Sequence, residues 1–272
     1  MSIRLIASLV SAAFVVSAQS SVEYGNFVYQ SKEASPVAMI VNTTEDGMAR
    51  LSIECESLYE GDWFQMQGLQ DDDEGLYPDV INEFPSGSYE QRKLTHYSQQ
   101  VCSQLHIESG NFHSFYIDSD GNLETEFEDD YVVLKREWLP LREGRYLSGS
   151  KSQLKLQFDV YASGLVYVRL GCKATEGRPA EGDFPAEPPT PAGDTGYKLL
   201  RLVSKGDHYE LTSYPGRSDT VRDLADTFGR VCPVWKDSFD LEEDFKAVRF
   251  ATPDIMYAFG DYIYDRLFRH PV

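Results

Sequence analysis

Gly47-Met48-Ala49-Arg50-Leu51-Ser52-Ile53-Glu54-Cys55 and Gly164-Leu165-Val166-Tyr167-Val168-Arg169-Leu170-Gly171-Cys172 align without a gap, glycine on glycine and cysteine on cysteine. Apolar residues alternate in step along both segments, a pattern typical of a half-buried β-strand. The segments Phe84 to Cys102 and Tyr214 to Cys232 also align without a gap and share six identical residues. We therefore interpret the chain as two copies of one unit, with chance similarity between two β-rich halves as the alternative.

The repeat predicts two domains, one over residues 22–139 and one over residues 140–272. The second copy has additional residues between its two cysteines. Residues 174–196 include five prolines, a composition typical of a surface loop or an extended, polyproline-like segment. This Pro-rich stretch is therefore predicted to be an insertion loop of the second domain.

The four cysteines, Cys55, Cys102, Cys172 and Cys232, are predicted to form disulfides, because their number is even and the N-terminus indicates export. In each copy the first cysteine ends a predicted strand and the second ends a predicted helix that packs on the sheet. A copy that folds as its own unit pairs its own cysteines, which predicts the bonds Cys55–Cys102 and Cys172–Cys232.

The N-terminus has the features of a secretory signal peptide over residues 1–18. Arg4 precedes an apolar stretch from Leu5 to Val16, and Val16-Ser17-Ala18 offers the small residues that signal peptidase accepts. The stretch is shorter than the ~20 residues that span a bilayer. We expect cleavage after Ala18 and a secreted, extracellular protein without a membrane span; a buried strand or an uncleaved anchor is the alternative.

Helical periodicity is clearest before the second cysteine of each copy. Apolar residues recur three and four positions apart from Val221 to Cys232, which predicts an amphipathic helix with Ser218 or Asp219 as its N-cap. Ser88 and Gln91 form a capping-box pair ahead of the equivalent helix in the first copy.

The last element of each copy is predicted to be a second helix. Pro253 lies at a typical helix start, and residues 255–267 keep helical spacing. Leu123 to Leu134 fits either the same helix or a hairpin that turns at Asp120-Gly121, and we favour the helix by analogy. The predicted fold class is therefore α+β, a tandem duplication of a disulfide-stapled unit in which one or two helices pack on an antiparallel sheet of about five or six strands.

Composition and charge narrow the classes of function. The 272 residues include 25 Lys and Arg against 44 Asp and Glu, a net charge of −19, and 13% are aromatic. Such acidity argues against nucleic acid and anionic lipid as partners, because Lys and Arg drive binding to both. The aromatic content supports a packed core and excludes a disordered chain.

Few residues indicate chemistry. His106 and His113 could contribute to a zinc or catalytic site, although metal sites need three or four convergent ligands and a surface role is the alternative. Asp118-Ser119-Asp120-Gly121-Asn122 resembles the start of a calcium loop, with an Asp-Gly turn or a helix cap as the alternatives. Asp71-Asp72-Asp73-Glu74 could hold a weakly bound cation, but a solvated loop is more typical of such a run. We predict no catalytic, metal-binding or cofactor-binding residue.

Asn42 lies in the sequon Asn42-Thr43-Thr44 and is predicted to carry a glycan. The duplication, the disulfides and the Pro-rich loop favour a secreted, acidic, two-domain binding or interaction protein with an unknown extracellular partner or ligand. The alternatives are a secreted hydrolase, with a site in one copy or between the copies, and a structural coat protein.

Overall fold

The computed structural model describes residues 24–31, 37–65, 67–68, 82–83, 89–103, 105, 111–112, 114–118, 120–128, 130–150, 152–177, 189–235, 245–259 and 264–271. These residues form a mostly β structure with two α-helices, α1 (Tyr89–Val101) and α2 (Val221–Val231), and one 3₁₀ turn (Pro233–Trp235). Neither of these described helices is long and apolar enough to cross a lipid bilayer.

The first sheet is open and curls into a half-barrel. Its strands are β1 (Gly25–Gln30), β2 (Ala38–Thr43), β3 (Met48–Glu54), β4 (Leu58–Glu60), β5 (Phe64–Gln65), β6 (Gln67–Gly68), β7 (Asn82–Glu83), β8 (Ser114–Ile117), β9 (Leu123–Phe127) and β10 (Asp130–Arg136). They follow the order β4-β3-β2-β1-β10-β9-β8-β7-β6, and β5 pairs with β3. Since one residue separates β5 from β6, the two ends of the curled sheet approach each other there.

The second sheet closes into a barrel. Its strands are β11 (Gly144–Ser148), β12 (Leu154–Val160), β13 (Leu165–Cys172), β14 (Gly193–Asp194), β15 (Lys198–Ser204), β16 (Tyr209–Ser213), β17 (Ala247–Phe250), β18 (Ile255–Phe259) and β19 (Tyr264–His270). They follow the order β12-β11-β19-β18-β17-β16-β15-β13-β14, and an additional pairing of β12 with β13 closes eight of the nine into a ring.

The predicted α+β fold class, with helices packed on sheets of about five or six strands, is therefore wrong. The predicted helix over residues 255–267 is the hairpin of β18 and β19, and the favoured helix over residues 123–134 is the hairpin of β9 and β10. Residues 255–258 are all buried, because one face of β18 lines the barrel and Tyr257 on the other face packs on Trp138. Burial on both faces removes the alternation by which a strand is recognised in a sequence.

Glycine turns precede β3 and β13, the two strands that lead to Cys55 and Cys172. Gly47 has a φ of 78° and Gly164 a φ of 79°, in the left-handed region that glycine adopts without strain. Each turn lets the chain reverse from one strand to the next, β2 to β3 and β12 to β13, and thereby sets the register of the two hairpins.

The two sheets share their strand order and their register. Equivalent residue pairs are Phe27–Arg136 and Tyr146–Arg269, Val41–Leu51 and Phe158–Val168, and Thr125–Val132 and Ala258–Asp265. Helix α1 follows β7 in the first half, and α2 follows β16 in the second. The first sheet ends at Arg136 and the second begins at Gly144, so no strand is shared between them.

A salt bridge between helix and sheet is repeated with its charges exchanged. Lys93 of α1 pairs with Asp62, which lies two residues before Phe64 of β5. In the second half, Asp223 of α2 pairs with Lys198 of β15 at 2.5 Å. The gapless alignment of the two helices puts Lys93 on Asp223, and the strand register puts Asp62 on Lys198.

Helix α2 is confirmed, but its N-cap is Thr220 and not Ser218 or Asp219. The Asp223 backbone N–H donates to Thr220 Oγ1 at 2.9 Å, which satisfies one of the free donors of the first turn. The carboxylate of Asp219 accepts a hydrogen bond from the Leu199 backbone N–H instead, at 3.0 Å. It therefore ties the helix entrance to β15.

Helix α2 covers one opening of the barrel. Leu224 and Phe228 are buried. Leu224 faces the inward-pointing side chains Phe158, Val168 and Leu211 across a cavity of about 10 Å³. A cavity of that volume holds about one water molecule. Among the described residues, the space beneath the helix therefore holds little more than one water molecule, and the core there is packed.

Disulfide bonds are confirmed, and the bonded pairs are those assigned from the repeat. Cys55 is bonded to Cys102 with their Cα atoms 5.5 Å apart, and Cys172 is bonded to Cys232 with a Cα separation of 6.0 Å. Each bond joins the end of a strand to the residue after a helix, so each helix is fixed covalently to its own sheet.

Alternating cationic and aromatic side chains join the two sheets. The Arg136 guanidinium lies 4.5 Å from the ring centroid of Phe27 and 5.5 Å from that of Trp138. Arg249 lies 5.1 Å from the Trp138 ring and 4.4 Å from that of Phe259. Trp138 thus stacks between an arginine of each sheet, and such contacts are worth more where water is excluded.

Candidate binding face

Three exposed tyrosines lie together on the outside of the barrel, where β11, β12 and β13 run side by side. Tyr161 is 49% exposed, Tyr167 39% and Tyr197 48%. We call this surface the tyrosine face, defined by those tyrosines and the polar side chains between them, Arg145, Gln157, Asp159, Arg169 and Asp194.

Strand alternation explains why these side chains point outward. In β13, Val166, Val168 and Leu170 are buried in the barrel, so Tyr167 and Arg169 between them must face solvent. The same alternation in β12 turns Gln157 and Asp159 outward. Register then places Arg169 beside Gln157, and Tyr167 beside Asp159.

The tyrosine rings hold one another at defined angles. The ring centroids of Tyr161 and Tyr167 are 6.0 Å apart with an interplanar angle of 71°, and those of Tyr167 and Tyr197 are 6.5 Å apart at 90°. Both are edge-to-face arrangements, in which the positive edge of one ring meets the negative face of the other. The aromatic surface is therefore ordered before any partner arrives.

One ion pair joins Arg145 of β11 to Asp159 of β12 within the tyrosine face. Arg145 Nε and Nη2 donate to the two carboxylate oxygens of Asp159 at 2.8 and 3.0 Å. Gln157 Nε2 donates to Asp159 Oδ1 at 3.1 Å and to the Tyr197 hydroxyl at 2.8 Å. Burial raises the pKa of Asp159, but the hydrogen bonds from Arg145 and Gln157 outweigh it and lower that pKa overall. Asp159 therefore remains ionised and keeps Arg145 and Gln157 in place.

A second ion pair supports Tyr197. Arg169 Nε donates to both oxygens of Asp194 at 2.9 Å, and its guanidinium lies 5.5 Å from the Tyr197 ring centroid. The hydrogen bond from Arg169 lowers the pKa of Asp194, and the same bond raises the pKa of Arg169. The Gly196 backbone N–H also donates to Asp194 at 2.8 Å. Paired in this way, the charges neutralise each other and leave the tyrosine rings as the accessible apolar surface.

The sequence did not single out this face, although a signal for it exists. Tyr167 and Arg169 occupy the outward positions of a strand whose alternate residues are apolar, and an aromatic side chain there is not required by the core. Asp194 lies near the end of the Pro-rich stretch 174–196 and Tyr197 directly follows it, so their position beside Arg169 depends on the pairing of β14 and β15 with β13.

Apart from Asp194, near the end of the Pro-rich stretch 174–196, the described residues that the sequence singled out do not lie on the tyrosine face. Asn42 lies on β2, half-buried and paired with Arg50, and its glycosylation stays a prediction. The predicted signal peptide at residues 1–18, the acidic run at 71–74, His106 and His113 lie outside the described residues. Of the Pro-rich stretch 174–196, residues 178–188 also lie outside them, and Thr175 pairs with Thr190 at its base.

Asp118, Gly121 and Asn122 are joined by the hydrogen bonds of a turn. The Gly121 backbone N–H donates to the Asp118 carbonyl at 3.0 Å, and the Asn122 backbone N–H donates to the Asp118 carboxylate at 2.8 Å. The Asp-Gly turn, one of the alternatives to a calcium loop, is therefore the observed conformation. Across the part of the chain that the structure describes, no group of three or more His, Cys, Asp or Glu could hold a metal ion.

Asp265 is the clearest source of pH-dependent stability. Burial raises the pKa of its carboxyl above the ordinary value of 3.8, and hydrogen bonds from Ser148 and Ser152 offset only part of that effect. The folded state then binds this proton more tightly than the unfolded state, so protonation of Asp265 stabilises the fold. The stabilisation from this proton is complete below pH 3.8, and it is lost as the pH rises through the raised pKa of Asp265 in the folded state.

We expect Asp265→Asn to remove this dependence, because asparagine does not titrate. Between pH 3.8 and the raised pKa of Asp265, the free energy of unfolding of the variant minus that of the wild type should rise with pH. Above that pKa the difference should be constant. Urea denaturation at several pH values measures the difference, with Asp254→Asn as an exposed control. A difference between Asp265→Asn and the wild type that does not change with pH would show that Asp265 keeps its ordinary pKa.

Searches against models of protein families, characterised protein sequences and solved structures found no match to this chain.

Proposed function

We propose that this chain is a secreted, acidic, two-domain binding protein, and that the tyrosine face is its contact surface for a protein partner. The carrying observation is the exposure of three adjacent tyrosines whose rings contact one another edge to face, with Tyr197 held by Gln157 and by the Arg169–Asp194 ion pair. Tyrosine and arginine are enriched among the residues that dominate the energy of protein interfaces. Each tyrosine offers a large contact area with few torsions to immobilise on binding.

Preorganisation supports this role. Arg145, Arg169 and Gln157 are already hydrogen-bonded to carboxylates, so their side chains lose little additional freedom when a partner docks. Because each carboxylate is paired, docking buries no isolated charge on this side of the interface. The tyrosine face therefore offers apolar contact area, and its side chains lose little conformational entropy when a partner docks.

Export is supported by the disulfides, since such bonds persist in oxidising compartments. The signal-like N-terminus agrees with the same compartment. We therefore expect the partner in the extracellular fluid.

The test compares two sets of exposed tyrosines. Extracellular fluid is passed over the immobilised wild type, and the dissociation rate of each retained protein is then measured. For Tyr167→Ala/Tyr197→Ala we expect dissociation at least about tenfold faster, the loss typical of truncating a central interface residue. Tyr97→Ala, which removes an exposed tyrosine from helix α1 in the first half of the chain, should leave the rate unchanged.

Equal dissociation from the wild type and the double variant would refute the proposal, as would dissociation from Tyr97→Ala that is accelerated as much as dissociation from the double variant. Unfolding of each variant by urea is measured in parallel. Exposed substitutions of this kind change stability by about 0.5 kcal/mol or less, so a loss of binding is not a loss of fold.

A further inference from the structure

The negative charge of the protein is concentrated in its first half. Residues 1–139 contain 24 Asp and Glu but only 7 Lys and Arg, whereas residues 140–272 contain 20 and 18. The net charge is thus −17 in the first part and −2 in the second. Since a field of one sign attracts ligands of the opposite sign, a partner of the first half is expected to be basic.

Part of this charge lies on an exposed face of mixed character. The outward side chains of β8, β9 and β10 include Tyr116, Glu124, Glu126, Tyr131 and Val133, which we call the acidic face. Strand register places Glu124 between Tyr116 and Val133, and Glu126 beside Tyr131. Carboxylates and apolar groups therefore alternate across the surface.

The apolar members of the acidic face are open to solvent. Tyr131 is 63% exposed and Val133 is 39% exposed. In the second sheet, the equivalent strands β17 and β18 are covered by the chain itself, because Trp138 packs on Tyr257 and on Arg249. Among the described residues, nothing covers the first sheet in the same way.

The carboxylates of the acidic face lack cationic partners. Within the described part of the chain, neither Glu124 nor Glu126 forms an ion pair. Lys135 is the only basic residue on the described outward positions of β8 to β10. Burial, together with the negative charge of Asp118, raises the pKa of Glu124, which is the response of a carboxylate without a compensating cation.

We propose that the acidic face binds a basic segment of a partner protein. The lysine or arginine side chains of that segment place their charged ends on Glu124 and Glu126. Their aliphatic stems lie on Tyr131 and Val133, since such side chains cover apolar surface while their charges stay in water. The face of Tyr131 adds a cation–π contact.

The spacing of the carboxylates fits an extended segment. Glu124 and Glu126 are two residues apart on one strand, a distance of about 7 Å. Alternate residues of an extended partner have the same spacing. Two of its basic side chains can therefore reach both carboxylates at once.

The test uses an oligolysine peptide as the probe. For Glu124→Gln/Glu126→Gln we expect the affinity at low salt to fall about tenfold, equivalent to 1.4 kcal/mol. The matched control, Glu54→Gln/Glu56→Gln, removes the same charge from exposed residues at and after the end of β3. Strand β3 is separated from the acidic face by β1 and β2, so this variant should change the affinity about twofold or less. Equal losses in the two variants would overturn the proposal, because they would show diffuse attraction by net charge.

A second variant tests the apolar contact at constant charge. Tyr131→Ser/Val133→Thr should weaken oligolysine binding about threefold to fivefold, and an unchanged affinity would contradict the docked geometry. Raised salt should weaken all binding to this face. Tyr167→Ala/Tyr197→Ala should not change oligolysine binding, so this test and that of the tyrosine face can fail independently.

Discussion

Replacement of Arg136 by alanine is expected to lower the free energy of unfolding by about 3–5 kcal/mol. The residue is 4% exposed, and its Nε donates to the Gly121 carbonyl at 2.6 Å while Nη1 donates to the Tyr24 carbonyl at 2.9 Å. Alanine would leave both carbonyls without this donor and would remove the cation from between the Phe27 and Trp138 rings. Urea denaturation followed by tryptophan fluorescence measures the change.

Arg269 is the matched control for this substitution. It occupies the equivalent register position in the second sheet, opposite Tyr146, but its side chain is exposed. We expect Arg269→Ala to cost about 0.5 kcal/mol or less, as at other exposed positions. Arg136→Lys should fall between the two, because a single ammonium cannot reproduce the two-pronged geometry of guanidinium. Similar losses for Arg136→Ala and Arg269→Ala would contradict the role assigned to the buried arginine.

Phe228→Ala is expected to destabilise the protein by about 3–5 kcal/mol, the range for truncating a buried phenylalanine. Phe228 is fully buried in α2, on the face that covers the barrel opening. Disulfide Cys172–Cys232 holds the end of the helix in place. The helix therefore cannot shift toward the barrel to fill the space that the phenylalanine ring leaves. The variant therefore keeps a cavity, whose volume adds to the loss of apolar burial.

Asp226→Ala on the exposed side of the same helix is the control, and its effect should be within about 0.5 kcal/mol. Both variants keep the helix and its disulfide, so they differ only in the buried contact. A loss for Phe228→Ala no larger than that of the control would mean that α2 does not contribute to the packed core.

Much of the local structure can be predicted from the sequence, because it depends on neighbouring residues. Strand β12 buries Leu154, Leu156 and Phe158 at alternate positions, which the sequence pattern indicates directly. Helix α2 is likewise evident from the spacing of Leu224 and Phe228. Its N-cap is less predictable, since the choice of Thr220 depends on Asp219 being used by a distant strand.

The β-barrel could not be predicted, because its closure depends on contacts between distant segments. Strand β18 lines the barrel with one face and packs against Trp138 with the other, so it is buried on both faces. Its sequence therefore lacks the alternation of a half-buried strand and also fits the spacing of a helix. In β9 the inward position is taken by Thr125, a polar residue that donates to the Ser114 carbonyl at 2.9 Å. Its hydroxyl is satisfied only in the folded sheet, so in the sequence it interrupts the expected alternation.

The tyrosine face illustrates the same limit. Tyr167 and Arg169 can be assigned to the outside of a strand from alternation alone. Their neighbours Asp194 and Tyr197 lie near the end of the Pro-rich stretch and directly after it, and only sheet pairing brings them into contact. A surface made from separated segments is therefore visible in the structure and hidden in the sequence.

Two sheets of equal order and register could exchange their helices during folding, and the reversed salt bridges discriminate against that error. Helix α1 on the second sheet would bring Lys93 against Lys198, and helix α2 on the first would bring Asp223 against Asp62. Each wrong docking sets like charges together, whereas each correct docking joins opposite ones. The exchanged charges thus favour the docking of each helix, and of the cysteine that follows it, on its own sheet.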